Sequence, residues 1–120
     1  MSRNHQLGLW GESQALSYLE FCGFTCLQQR YRRQCGELDL IVRRENLILF
    51  VEVKTRGPRS LAPAESWVTQ QKLARMRQTA RHWLVDNRPA GPCDFRFDVI
   101  AIEFHGENMG VELRHLPGVV

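Results

Sequence analysis

The chain has 120 residues, of which 43% are hydrophobic and 24% charged, and its formal net charge is +3. This composition is typical of a soluble globular protein, and the length favours a single domain over residues 1–120. The longest apolar run, Leu47–Val51, is far too short to span a bilayer, and the N-terminus lacks the apolar segment of a secretory signal. We therefore expect a cytoplasmic protein with no membrane partner.

The first predicted element is a helix from about Asn4 to Cys22. Gly23 is a plausible stop for it. Apolar and small residues recur there at the spacing of one helix face, and Glu12 lies within that stripe: Gly8, Glu12, Ala15, Leu16 and Leu19. A first strand over FTCLQQRY follows. The segments ELDLIV and NLILFVEVK then predict two further strands, joined by a tight turn at Arg44-Glu45-Asn46.

The second half of the chain predicts a loop, a helix and two strands. Glycine, proline and arginine mark Thr55–Pro63 as the loop, and Thr69 is a good N-cap for the helix. DFRFDVIAIEF alternates as a fourth strand, and GVELRHL is a weaker fifth. The order α-β-β-β-α-β-β indicates an α/β fold, with a mixed β-sheet flanked by helices.

Charged residues interrupt the most apolar pair of predicted strands. Strict alternation places Glu37, Asp39 and Ile41 on one face of the first strand, and Glu52 and Lys54 on one face of the second. If Glu45-Asn46 is a two-residue turn, Asp39 lies opposite Glu52 and Glu37 lies opposite Lys54. A slip of one residue in the turn would break this pairing without changing the parity within each strand.

Two adjacent carboxylates repel each other unless a cation lies between them, and their hard oxygens suit Mg²⁺ or Mn²⁺. Lys54 could orient or deprotonate a metal-bound water or neutralise charge on a phosphate. The chain has only two lysines among its 16 basic residues, so a lysine here favours chemistry over a generic salt bridge. The alternatives are a structural ion network for the strand pair and a solvent-directed side chain for Glu12.

Basic residues cluster in two places, which suits a polyanion, although a solvated basic face is the ordinary alternative. The residues predicted to contact nucleic acid are Arg30, Arg32, Arg33, Arg56 and Lys72. The sequence shows no recognition helix, zinc finger or aromatic stacking array. The four cysteines form no C-x-x-C pair, which favours reduced thiols over a zinc site.

Five motifs follow one another along the chain: Gly11-Glu12, Gly36-Glu37-Leu38-Asp39-Leu40-Ile41, Phe50-Val51-Glu52-Val53-Lys54-Thr55-Arg56, Val68-Thr69-x-x-Lys72 and Arg96-Phe97-Asp98-Val99. Together they resemble the YraN family, small bacterial proteins of uncharacterised function in the PD-(D/E)xK nuclease superfamily. The resemblance covers nearly the whole chain. Trp67 and Cys35 are not the residues we would expect at their positions.

The resemblance implies a restriction-endonuclease-like core similar to that of Holliday-junction resolvases. It implies that Asp39 and Glu52 bind a divalent metal, aided by the Val53 carbonyl, with Lys54 as the catalytic lysine. Glu12 would complete the site. Glu37 and Asp98 also match family positions, but we assign them no role.

Three functions follow from these residues, in this order. The first is a Mg²⁺-dependent endonuclease acting on DNA or structured DNA as a homodimer, as resolvases do. The second is a nucleic-acid-binding module that is catalytically quiet or needs a partner. The third is a protein-interaction module, which predicts neither metal affinity nor salt-dependent DNA binding.

Overall fold

The computed structural model describes residues 3–57, 68–105 and 110–119. It is an α/β structure with the predicted order α-β-β-β-α-β-β, consistent with a restriction-endonuclease-like core. The elements are α1 (Arg3–Phe21), β1 (Thr25–Arg33), β2 (Gly36–Arg44), β3 (Leu47–Arg56), α2 (Gln70–Asn87), β4 (Asp94–Phe104) and β5 (Val111–Leu116). Neither described helix is both long and apolar enough to cross a membrane.

Local signals fix both helices where the sequence predicts them. After α1, Gly23 adopts a φ of +94°, and the Phe24 N–H donates to the Leu19 carbonyl, which closes the helix end. At the start of α2, the Thr69 hydroxyl accepts a hydrogen bond from the Lys72 N–H at 3.1 Å. Most of the loop predicted from Thr55 to Pro63 lies outside the described residues, as does Trp67, while its first two residues extend β3.

The sheet is mixed, with the strand order β1-β2-β3-β4-β5. The three pairs β1–β2, β2–β3 and β4–β5 are antiparallel, whereas β3 and β4 are parallel. Parallel neighbours need a crossover connection, and α2 lies in that connection. As a result, the N-terminal end of α2 is brought near β3, which carries two of the predicted site residues.

Each face of the sheet carries one helix and one hydrophobic core. The α1-side core contains Ala15 and Leu19 of the helix packed on strand residues Leu40, Val42, Leu49, Val51, Ile100 and Ile102. The α2-side core contains Leu73, Met76, Ala80 and Trp83 packed on Tyr31, Leu38, Ile41, Ile48 and Phe50. These α2 residues recur at helical spacing and form the face of the helix that packs on the sheet.

Gly11 allows α1 to approach β3 very closely. A Cβ atom on Gly11 would lie 2.0 Å from the Thr55 Oγ1, a distance that no real side chain can occupy. Thr55 directly follows Lys54, and Glu12 directly follows Gly11. The glycine therefore holds the helix that carries Glu12 against the end of the strand that carries Lys54.

The β2–β3 hairpin has the predicted register. Its pairs run from Arg44–Leu47 to Leu40–Val51 around a two-residue turn, in which Glu45 takes a φ of +53°. The ladder ends at Leu40–Val51, one step before Asp39 and Glu52. The carboxylates are thus placed by the hairpin register at the point where the two strands separate.

The predicted alternation along β2 is wrong at one point. Leu38 and Ile41 are three residues apart, yet both pack in the α2-side core, whereas Leu40 packs on the α1 side. Asp39, between them, therefore does not simply share a face with Ile41. Asp39 lies opposite Arg30 of β1, because the residues on either side of them are paired in the ladder. Arg30 has a φ of +49°, so the irregularity affects both strands.

Candidate functional site

Asp39 and Glu52 lie where the backbones of β2 and β3 separate. Beyond that point the Asp39 side chain, instead of the β2 backbone, accepts a hydrogen bond from β3. The Val53 N–H donates to Asp39 Oδ2 at 2.7 Å, and Asp39 Oδ1 makes no hydrogen bond to a described residue. Glu52 is 8% exposed. Both carboxyl groups line one open cavity of about 340 Å³, on the α2 side of the sheet. One oxygen of Asp39 is thus fixed by the backbone, which leaves the other available to a ligand.

This pair of carboxyl groups does not hold two negative charges easily. Burial, together with the charge of Glu52, raises the pKa of Asp39 to about 8, although the Val53 N–H opposes that shift. At neutral pH the Asp39 carboxyl therefore retains its proton unless a further positive charge is close by. Such a carboxyl group is well suited to a cation that replaces its proton.

Two lysines converge on Glu52 from different elements. Lys72 Nζ, on α2, lies 2.6 Å from Glu52 Oε1, and Lys54 Nζ, on β3, lies 3.6 Å from the same oxygen. Burial and the adjacent Lys72 ammonium lower the pKa of Lys54, whereas the carboxylates oppose that shift. A lysine whose pKa is lowered can accept or donate a proton more readily than an exposed one.

Glu12 reaches Asp39 from the other side of the sheet. It lines a cavity of about 270 Å³ together with Asp39 and Arg30, and its Oε2 accepts a hydrogen bond from Arg30 Nη1 at 3.0 Å. Glu12 does not line the cavity that holds Glu52. The structure therefore brings Glu12 close to Asp39. The sequence predicted a single site for Glu12, Asp39 and Glu52, whereas Glu12 and Glu52 line different cavities.

Comparison with known proteins identifies the family. The model of the uncharacterised protein family UPF0102 matches residues 11–102. The chain belongs to this family. UPF0102 proteins of Sulfurihydrogenibium sp. and Geobacter metallireducens are 38% and 39% identical to the chain, covering 86% and 95% of it and 92% and 91% of their own lengths. A UPF0102 protein of Leifsonia xyli is 34% identical over 100% of both chains. This is the YraN family that the sequence motifs indicate.

The five residues predicted to contact nucleic acid occupy different surroundings in this UPF0102 protein. Arg30 and Arg32 line the cavity on the α1 side, and Lys72 lines the cavity on the α2 side. Arg33 instead forms an ion pair with Asp86 of α2. Arg56 is 8% exposed and pairs with Glu103 at 3.7 Å. Three of the five therefore surround the carboxylates, and two hold other parts of the structure.

Two residues beside the α2-side cavity were not among the predicted site residues, although Arg75 belongs to the second basic cluster of the sequence. Arg75 and Thr69 line it together with Lys72 and Gly36. Residues three apart on a helix lie on the same side, so the spacing of Lys72 and Arg75 was the available signal. Thr69 was identified only as a helix cap, because nothing in the sequence shows that the start of α2 lies beside the carboxylates.

The two family positions without an assigned role differ in their surroundings. Glu37 lines both cavities beside Asp39 and receives a weak contact from Arg32 Nη2 at 3.3 Å. Asp98 is fully buried and accepts hydrogen bonds from Arg96, His115 and the Gly118 N–H at 2.6–3.0 Å. Asp98 is therefore part of a closed structural network, while Glu37 belongs to the surroundings of the site.

A second group of side chains that could ligate a metal lies at the C-terminal end of β4 and the start of β5. Ligand atoms of Glu103, His105 and Glu112 lie within 4.8 Å of one another. Glu103 is also bound by Arg114 at 2.9 Å, so its charge is already compensated. This group provides a control position for any metal-binding experiment on Asp39 and Glu52.

Proposed function

We propose that this protein is a divalent-metal-dependent endonuclease that cuts DNA, with structured DNA such as a four-way junction as the favoured substrate, working as a homodimer. The observation that supports this most strongly is the arrangement of Asp39 and Glu52. Two mostly buried carboxyl groups share an open cavity, and the pKa of one is raised to about 8 by burial and by its neighbour. Lys72 and Lys54 compensate the charge of Glu52, but no described residue forms an ion pair with Asp39, whose charge is left to a metal ion.

The donor set fits Mg²⁺ or Mn²⁺. Both groups are hard oxygen donors, no thiolate or imidazole lines the cavity among the described residues, and Asp39 Oδ1 is available. We infer that Asp39 and Glu52 hold the ion. When bound, it would polarise a phosphodiester and lower the pKa of a coordinated water.

We assign to Lys54 the transfer of a proton or the compensation of negative charge during cleavage. It lies 3.6 Å from Glu52 Oε1, and its pKa is lowered by burial and by Lys72. It can therefore orient the attacking water, accept its proton or compensate the negative charge that develops on the phosphate. Glu12 approaches Asp39 from the α1 side and is held there by Arg30, which suits a positioning role.

The cations at the mouths of the two cavities are suited to the DNA backbone. Arg30 and Arg32 lie on the α1 side, and Lys72 and Arg75 lie on the α2 side. These side chains bind phosphate by charge and carry no base readout, so they would position a strand without selecting its sequence. We expect binding that weakens steeply with salt.

A second candidate is a nucleic-acid-binding module without turnover of its own. The observation that favours it is the 2.6 Å ion pair between Lys72 and Glu52, which already provides Glu52 with a positive partner. A site held closed in this way would need a partner or a substrate to release the lysine. This alternative predicts salt-dependent binding to DNA without cleavage in Mn²⁺.

Cleavage of labelled linear and four-way-junction DNA in Mg²⁺ and in Mn²⁺ tests the proposal. The wild type should be compared with Lys54→Ala and with His105→Ala, all purified identically. We expect Lys54→Ala to lower the cleavage rate by roughly 100-fold or more, and His105→Ala to leave it unchanged. Equal cleavage by the wild type and Lys54→Ala would indicate a contaminant. Binding without cleavage by the wild type would favour the second candidate.

A further inference from the structure

A separate cavity of about 230 Å³ lies between α2 and β4, beyond the candidate site. Phenylalanines of two strands form one wall, and Ala80 and Leu84 of α2 form the other. Phe95 is 47% exposed although its ring borders this cavity. A single exposed ring is ordinary, but an exposed ring at the edge of an apolar cavity is suited to a ligand with a flat apolar group.

Phe95 and Phe97 present aromatic rings at the cavity, and both pack on the fully buried ring of Phe50. Phe50 and Phe97 are stacked with ring centroids 5.3 Å apart and an interplanar angle of 27°. Phe50 and Phe95 are 6.2 Å apart at 39°. Phe97 and Phe50 are paired in the parallel ladder, which explains why the array is not visible in the sequence. A surface of this kind stacks well against another flat ring.

Two arginines border the same cavity. Arg77 and Arg81 are four residues apart on α2 and therefore lie on one side of it. No described carboxylate pairs with either of them. From Gln70 to Val85 the chain contains no acidic residue at all. An apolar cavity bordered by arginines that pair with no described carboxylate favours a ligand that combines a flat apolar ring with negative charge.

The aromatic cavity and the candidate site lie along the same face of the sheet. Met76 and Val99 line a small cavity together with Glu52, Lys54 and Lys72. Glu52 is paired with Val99 in the ladder, and Phe97 lies two residues before Val99 on the same face. That step is roughly 7 Å along the strand, and Phe95 is roughly 13 Å away. A nucleotide or two of extended chain spans these distances.

We propose that this aromatic cavity binds an unpaired nucleobase of the same strand whose backbone approaches Glu52 and Lys54. Arg77 and Arg81 would hold the flanking phosphates, and the phenylalanine rings would stack on the base. The inference rests on the proposed function and adds to it a substrate class, namely DNA with an unpaired nucleotide beside the cleavage position. Since the cavity offers almost no polar atoms, stacking there would not depend on base identity.

An acidic peptide with an aromatic side chain is the other ligand with this chemistry. The base is favoured because Phe95 and Phe97 share a face of β4 with Val99, which lines a small cavity together with Lys54 and Lys72. A peptide would have no reason to be aligned with the carboxylate site. The peptide and a second copy of this chain are therefore included as outcomes of the test.

The test measures binding of a fluorescent single-stranded oligothymidylate to the full chain in EDTA, which removes cleavage from the experiment. Phe95→Ala should weaken binding roughly 5- to 30-fold, because one stacked base is lost. Val85→Ala is the matched control: Val85 is 67% exposed on α2 and does not line the cavity. Val85→Ala should bind like the wild type.

A second measurement links the effect to a base. Oligonucleotides carrying one abasic residue at successive positions should bind the wild type less tightly at one position, and Phe95→Ala should show no such position. In addition, the double variant Arg77→Gln, Arg81→Gln should reduce the slope of log K against log salt by about 1 to 2. The double variant leaves the aromatic wall intact and so keeps the inference testable if Phe95→Ala folds poorly.

The outcomes separate this inference from the proposed function. If the wild type binds DNA with a steep salt dependence but Phe95→Ala and Val85→Ala behave alike, the base-binding cavity is wrong and the proposed function stands. If the wild type binds no nucleic acid, both are wrong. Competition by an acidic aromatic peptide, or a change in sedimentation of Phe95→Ala alone, would identify the cavity as a protein interface and overturn the inference.

Discussion

Two aspartates of this sheet, Asp98 and Asp39, have opposite electrostatic surroundings. Asp98 accepts hydrogen bonds from Arg96, His115 and the Gly118 N–H; burial alone would raise its pKa, but these partners lower it to about 2. Asp39 accepts one described hydrogen bond, from Val53, and burial together with Glu52 raises its pKa to about 8. The comparison shows how a carboxylate that holds a fold differs from one that is left for a ligand.

The largest effect should come from breaking the Asp98 network. Asp98→Ala leaves the Arg96 guanidinium and the His115 ring without their buried acceptor. We expect the free energy of unfolding to fall by about 3 kcal/mol. Urea denaturation followed by circular dichroism measures this. An unchanged midpoint would mean that the network is not structural.

Acid titration should reveal the same network with a smaller effect. Because the pKa of Asp98 is lowered from 3.8 to about 2, its contribution is present above pH 4 and is lost as the pH falls towards 2. The loss should be about 2 kcal/mol in the wild type. Asp98→Asn should be less stable at pH 6 but lose less stability between pH 4 and pH 2. Parallel curves for the two proteins would contradict the assignment.

Asp39 should behave in the opposite way when no metal is present. Because its pKa is raised from 3.8 to about 8, its contribution to stability is greatest below pH 4 and is lost as the pH rises towards 8. Asp39→Asn keeps an acceptor for the Val53 N–H and removes the acidic group. In EDTA at pH 8 we expect the variant to be more stable than the wild type by about 1 kcal/mol or more. Destabilisation would show that the carboxylate is structurally compensated, like Asp98.

The smallest effect concerns Lys72. Its ammonium lies 2.6 Å from Glu52 Oε1 and therefore competes with a metal for that carboxylate. Lys72→Ala should bind Mn²⁺ several-fold more tightly than the wild type, because a nearby positive charge is removed. The same variant should bind DNA less tightly, as one phosphate contact is lost. Isothermal titration of each ligand separately measures both effects. A weaker Mn²⁺ affinity would mean that Lys72 supports the site.

The hairpin and both helices could be predicted because their signals are local. Thr69, Gly23 and the turn at Glu45-Asn46 each act within a few residues, and the turn fixes the register that brings Asp39 towards Glu52. The order and type of the elements follow from the same kind of local pattern. The family model matches residues 11–102, a range that contains all five sequence motifs.

The rest of the site depends on contacts between distant parts of the chain. The irregularity at Asp39 requires Arg30 of the neighbouring strand to adopt a positive φ, which no pattern in β2 can indicate. Lys72 meets Glu52 only because α2 crosses over the sheet before β4. Strict alternation, which holds for β3, consequently failed for β2 at the residue that matters most for the chemistry.

The metal affinity of the Asp39–Glu52 pair is the central claim and can be measured directly. Mn²⁺ binding followed by electron paramagnetic resonance should be compared for the wild type, for Asp39→Asn and for His105→Ala, which alters the second group of metal-ligating side chains. We expect one site that is lost in Asp39→Asn and kept in His105→Ala. Binding kept in Asp39→Asn and lost in His105→Ala, or no binding by the wild type, would contradict the account.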